Sequence, residues 1–199
     1  LVIGRNRHGD RTFFGDNWPD RAHHWLPCVD HPSDKATVEF IVTAPAHYQV
    51  VANGRQVEET NLGEERKRTH WSEAVPIPTK VMVIGVAPFA VQYLGEVEDI
   101  PLSSWVFPQD RDAGFYDYAQ AGQVLQWFID HIGPYPYEKL ANVQSKTRYG
   151  GMENAGNIFY AENTVSGNRD QEALIAHEIA HQWFGNSASE ANWHHVWLS

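Results

Sequence analysis

His177-Glu178-Ile179-Ala180-His181 places two imidazoles four residues apart, with a carboxylate beside the first. On an α-helix, residues four apart lie about 40° apart around the axis, so both rings point the same way and can share one metal ion. Glu178 projects about 100° from His177, close enough to reach a water at that metal without itself being a ligand. This donor set suits Zn²⁺, which would polarise a scissile carbonyl and acidify the water. Glu178 would then be the general base that takes the proton and passes it to a leaving amine. Leu174, Ile175, Ala176, Ile179, Ala180, Trp183 and Phe184 make this segment apolar nearly all round, leaving His177, Glu178, His181 and Gln182 as its polar exception. Buried polar groups need partners, and a metal is one. The competing reading is a pair of core histidines bonded to carbonyls.

Gly150-Gly151-Met152-Glu153-Asn154 is the second constellation. Two glycines let a backbone approach a ligand closely, and Glu153 offers a carboxylate to an ammonium. Alone, the string also fits an ordinary glycine turn with a surface glutamate.

The elements that must position these groups follow from periodicity. Residues 170–184 read as a helix, with Asn168 or Asp170 as cap and Gly185 just past its end. Tyr118, Ala121, Leu125, Phe128 and Ile132 recur at helical steps, and Gly133 and Pro134 stop that helix. Residues 140–145 and 157–160 read as strands. Before Pro108 the period is two: Ala36, Val38, Phe40 and Val42 alternate with Thr37, Glu39, Ile41 and Thr43. Asn53-Gly54 signals a hairpin, and the polar tip 61–64 a second one. Strands are also expected at 81–86 and 91–94. The fold class is α+β, with an antiparallel β domain over residues 1–107 and an α+β domain over 108–199.

The formal charge of −10 argues against nucleic-acid binding, which needs a basic surface. No apolar run approaches the ~20 residues of a membrane span; residues 81–90 are too few and contain Pro88. Cys28 is the single cysteine, so neither a disulfide framework nor a cysteine-rich zinc site is available. The eight tryptophans are expected in the core, and His23, His24, His194 and His195 as ordinary surface or packing histidines. The start without Met and the stop in an apolar stretch suggest an excerpt of a longer protein.

Tyr149-Gly150-Gly151-Met152-Glu153-Asn154, followed by the string from His177 through Gln182-Trp183-Phe184-Gly185-Asn186, resembles the aminopeptidase N and leukotriene hydrolase family. These are zinc aminopeptidases, gluzincins with a thermolysin-like catalytic domain. Leu26-Pro27-Cys28-Val29-Asp30-His31-Pro32 with Lys35-Ala36-Thr37 resembles that family's segment in its β domain, although His31 stands where Glu is usual. The resemblance implies that His177 and His181 are zinc ligands, Glu178 the general base, and Glu153 the group that binds the free α-amine of a peptide substrate. Gly150 and Gly151 would hold the peptide backbone, and Gln182 and Asn186 would support the helix. Counting back from Pro27-Cys28, the family's amine-binding Gln or Glu falls at about Asp16, in a segment that departs from the usual pattern.

The family's third zinc ligand is a Glu separated from the second histidine by 18 residues, here Gln182 through Ser199, so it would be the next position. The downstream tyrosine that stabilises the oxyanion would also lie beyond. The 199 residues are therefore expected to bind zinc weakly or through a substitute ligand, and to lack peptidase activity. Within the same family, the Gly-Gly form of the motif also suits an epoxide hydrolase with residual aminopeptidase activity. A non-catalytic peptide-binding protein is disfavoured because His177, Glu178, His181 and Glu153 are all intact.

Overall fold

The computed structural model describes all 199 residues. In chain order the elements are β1 (Val2–Arg5), β2 (Arg11–Phe14), β3 (Ala36–Pro45), β4 (Gln49–Ala52), β5 (Arg55–Gly63), β6 (Arg66–Ile77), β7 (Ile84–Ala87), β8 (Ala90–Val97) and β9 (Ile100–Val106). There follow α1 (Arg111–Tyr118), α2 (Ala121–Ile132), β10 (Leu140–Ser145), β11 (Gly151–Met152), β12 (Asn157–Ala161) and α3 (Glu172–Ala180).

Two antiparallel sheets form the N-terminal part, one ordered β1-β2-β7-β4 and one ordered β3-β6-β5. The alternation read in β3 is real: Phe40 and Ala44 are buried while Ile41 between them is exposed. The β5–β6 hairpin closes at its polar tip, where Gly63, Glu64 and Glu65 all take positive φ. The Asn53-Gly54 pair is not a hairpin turn, which corrects the sequence reading. It carries the chain from β4 in one sheet to β5 in another. Asn53 is fully buried, its Nδ2 donating to the carbonyls of Val81 (2.9 Å) and Ala155 (2.8 Å), while its Oδ1 accepts from the Val83 N–H. Gly54 has φ +75°, and a Cβ there would collide with the Ser72 carbonyl. The dipeptide is selected by this tertiary socket.

The third sheet, ordered β11-β12-β10-β9-β8, is mixed: β9, β10 and β12 run parallel, with antiparallel strands at both edges. The β8–β9 hairpin, residues 90–106, thus joins the sheet of residues 140–161, whereas its period-two pattern had grouped it with the preceding strands. Alternation reports a half-buried strand but not its partner. Parallel neighbours need a crossover, and α1 and α2 supply it between β9 and β10. α2 ends at Gly133, whose φ of +132° suits glycine.

The helix of the histidine motif is shorter than expected, running from Glu172 to Ala180. Neither Asn168 nor Asp170 caps it; the N-cap position is Gln171, without a side-chain bond. The approach to the helix is instead fixed by buried Asp117, which accepts the N–H groups of Ser166 and Gly167 at 2.8 Å and of Arg169 at 2.9 Å. His181 closes the helix in αR geometry, and Gly185 at φ +119° turns the chain away.

A single apolar core runs through the N-terminal sheets and the mixed sheet. Phe14 meets Phe159 edge to face at 5.4 Å across that boundary. Lys139 is a polar peg in the same interior, donating to the carbonyls of Ala52 (2.8 Å) and Gly156 (3.1 Å) with its ammonium over the Trp71 ring. Burial lowers its pKa to about 7, the charge of Glu73 opposing that shift. Between about 7 and the unfolded lysine value, the unfolded chain binds the extra proton, so this group makes stability rise with pH. Urea unfolding at pH 7 and pH 9 should show that rise in the wild type, and Lys139→Met should flatten it.

Candidate functional site

α3 brings the two imidazoles of the motif together. Their Nε2 atoms are 3.1 Å apart and the rings are perpendicular, with centroids 4.6 Å apart. Two nitrogens on a tetrahedral zinc at the usual bond length would be roughly 3.3 Å apart, so the pair fits the ion. His181 Nδ1 lies 2.9 Å from the Phe184 carbonyl. With its N–H donated there, the Nε2 lone pair is left free for a cation. Partial desolvation, and then the His181 charge, lower the pKa of His177, favouring the neutral ring that a metal requires. His177 is itself exposed, so the core-histidine reading does not describe it, and the helix is not apolar and buried on every side.

Glu178 lies on the inner side of the helix and is 4% exposed. Burial raises its carboxyl to about 8, with the neighbouring charge of Glu153 adding to the shift. Its Oε2 is buried without a hydrogen-bond partner. The carboxylate sits against β11 at Gly151, where any Cβ would overlap it. Gly150 is different: a Cβ there would meet only Leu174 at ordinary contact distance, 3.7 Å. One glycine of the pair is thus demanded by sterics within the protein and the other is not.

Glu153 follows β11 and is buried. Ligand atoms of Glu153, Glu178 and His181 all lie within 4.8 Å of one another. That proximity is set through the backbone. The Glu153 carbonyl accepts from Gln182 Nε2 (3.1 Å) and Asn186 Nδ2 (2.6 Å), while the Gly156 N–H donates to Gln182 Oε1 (2.8 Å). Gln182 and Asn186 therefore bind the helix end to the glycine–glutamate segment.

His177, His181, Glu178, Glu153, Gly150 and Gly151 line one open cavity of about 300 Å³. Trp18, Leu174 and Ser199 supply further wall. The expectation that the tryptophans are core residues is met by Trp71 and Trp105, but Trp127 and Trp197 are exposed, and Trp18, packed against the core on one side, faces this cavity on the other. Nothing local in the sequence marks it, since its place depends on how the N-terminal sheets meet the helix. β11 is the edge strand of the mixed sheet, so its outer backbone groups have no strand partner. Asp16 does not line this cavity. It lines a smaller depression with Arg21 and Arg148, each of whose guanidinium nitrogens comes to 3.6 Å from its carboxylate. His194 and His195 are exposed and line neither. A larger groove, about 670 Å³, lies between α2 and α3 beside Trp127 and Arg169 but holds none of the motif groups.

Residues 116–199 match the model of the peptidase family M1 domain, and residues 8–81 that of the peptidase M1 N-terminal domain. Glutamyl aminopeptidase of Bos taurus is 29% identical over 195 residues, which are 92% of this chain and 20% of that protein. Leucine aminopeptidase 2-1 of Meyerozyma guilliermondii is 30% identical over 183 residues, 89% of this chain and 28% of the relative. Leukotriene A-4 hydrolase of Xenopus laevis is 28% identical over 180 residues, 87% of this chain and 29% of the relative. The chain spans less than a third of the length of these curated relatives. The two matched stretches take in the β3-β6-β5 sheet, strands β2 and β4 of the other N-terminal sheet and the helix of the histidine motif, and on that ground the chain belongs to peptidase family M1.

Proposed function

We propose that this chain carries the metal-binding helix and the amine-binding carboxylate of a zinc aminopeptidase, which hydrolyses the N-terminal peptide bond of peptides. The observation that supports it most is the convergence of Glu153 with Glu178 and the histidine pair in one cavity. His177 and His181 would hold the zinc; when bound, it supplies Lewis acidity to a carbonyl and lowers the pKa of water. Glu178, with a buried oxygen that no protein group engages, accepts the proton of the attacking water and delivers it to the departing amine. Glu153 pairs with the ammonium of a free N-terminus, which sets the cut at the first peptide bond. The unpaired edge of β11 at Gly150 and Gly151 suits a peptide added as a further strand. Asp16, already facing two guanidiniums, leaves the amine to Glu153.

Within these 199 residues the ligands free of another role are the two imidazoles. Zinc binding by this chain is therefore weak, and turnover needs a third protein ligand. The family resemblance puts that ligand directly after Ser199, a residue that lines the same cavity.

Zinc competition against a chromogenic chelator should show weak binding by this chain, abolished by His177→Ala with His181→Ala and unchanged by His194→Ala. High-affinity zinc together with turnover of an amino-acid anilide would overturn the third-ligand argument. In the full-length protein, Glu178→Gln should lower kcat by about 10²–10⁴ with little change in KM. Glu153→Ala should erase the preference for free over N-acetylated peptides. A Glu178→Gln enzyme of wild-type rate would remove the mechanism. Gly151→Ala, which pushes a methyl into the Glu178 carboxylate, should cost ~1–3 kcal/mol in urea unfolding. Gly150→Ala should stay within about 0.5 kcal/mol.

A further inference from the structure

The segment after the turn at Gly185 reaches the cavity at Ser199, yet it has almost nothing apolar to hold it. Its short 3-10 turn, Trp193–Leu198, buries none of its residues, and Trp197 and Leu198 are exposed. The segment's inward anchor is a charge. Glu190 has a fully buried side chain, and its two carboxylate oxygens accept from Lys80 Nζ at 2.9 and 2.8 Å. Lys80, also fully buried, belongs to the N-terminal part of the chain, in the 3-10 turn Thr79–Val81 between β6 and β7. Its remaining proton goes to Ser199 Oγ at 2.8 Å, so all three ammonium donors are used. The same ammonium lies 5.0 Å from the ring of Trp18. Trp18 and Ser199 both line the cavity that holds His177, Glu178 and Glu153. One buried cation thus touches two parts of the cavity wall.

A fully buried ion pair is a poor source of net stability, because desolvating both groups consumes most of the attraction. What it provides is geometry, since a bidentate carboxylate and a hydroxyl around one ammonium admit a single register. Two apolar side chains would fill the same space without specifying where Ser199 lies. The other ties of this segment point the same way. Lys35 donates to the carbonyls of Asn186 (3.2 Å) and Ser187 (2.7 Å), and Trp193 Nε1 to that of Asp30 (3.1 Å). Burial, and then the charge of Lys80, lower the Lys35 pKa while Glu190 raises it, so the lysines and the glutamate sense one another.

We infer that Lys80 is a positioning residue for the metal site: through Glu190 and Ser199 it sets residues 190–199 against the histidine helix. The site is then assembled between the two parts of the chain, and the N-terminal sheets are part of its scaffold. This role rests on the zinc reading above for its consequence, but the positioning itself can be read without metal.

The test compares Lys80→Met, the double variant Lys80→Met with Glu190→Leu, and Ser199→Ala. The single lysine variant strands a buried carboxylate and should lose thermal stability, which the double variant restores. At that restored stability, amide hydrogen exchange at residues 193–199 should quicken by roughly tenfold or more while β10 and α3 stay protected. In the full-length protein, where this segment leads into the third ligand, the zinc dissociation constant of the double variant should rise several-fold. Ser199→Ala, which keeps the ion pair, should quicken exchange at the final residues alone, and it decides the matter should the double variant fail to fold. Unchanged exchange at 193–199 in the stable double variant, or in Ser199→Ala where the double variant does not fold, would overturn the inference. A wild-type chain that binds no zinc would remove the metal reading, leaving exchange to judge Lys80.

Discussion

The carbonyl oxygen of Glu153, held by Gln182 and Asn186, is the joint on which the site depends. It ties the end of a nine-residue helix to a two-residue edge strand. Each such bond contributes about 1 kcal/mol net, but an unpartnered buried amide would cost more, so the arrangement resists slipping. Gly151 makes the close approach sterically available, because its missing side chain is the space that the Glu178 carboxylate occupies. Bonds and glycine act together: one pulls strand and helix close, and the other lets them meet.

The electrostatics follow from that closeness. Two carboxylates and two imidazoles are crowded into one partly enclosed cavity, and the charge they lack is positive. Burial and the neighbouring carboxylate both work against ionised Glu178, while partial desolvation and the His181 charge work against protonated His177. A cavity in that condition is relieved by cations, whether a divalent metal at the imidazoles or the ammonium of a peptide at Glu153. The same logic, with the charges already inside the protein, explains why Lys80 and Glu190 are found together behind its wall.

The N-terminal sheets are more than a neighbour of the helix-bearing part. Asn53 reaches the Ala155 carbonyl just after the glycine–glutamate segment, Lys139 reaches back to the Ala52 carbonyl, and Lys35 reaches the turn after α3. These contacts cross a boundary through which the apolar core also runs without a break. A segment held from both sides in this way is preorganised by the packing of the whole chain.

Much was legible from residue order, since it depends on local geometry. The i, i+4 histidines had to share a face once helical, the alternation in β3 had to bury Phe40, and the zinc-peptidase reading grew from contiguous strings around residues 149–154 and 177–186. Other features belong to the tertiary structure alone. Asn53-Gly54 has the composition of a hairpin turn, but β4 finds its partner in β7, and the dipeptide is held in a socket formed by Val81, Val83 and Ala155. Residues 90–106 alternate like the strands before them, yet pair with β10, because alternation carries no information about which strand lies alongside. Asp16, placed by counting, turned to two arginines, while Trp18 reached the cavity. The amino-acid sequence determined which groups could do chemistry, through spacing along one helix and one strand. Only the folded chain decided which groups meet, because hydrogen bonds and burial between distant segments are set by packing in three dimensions.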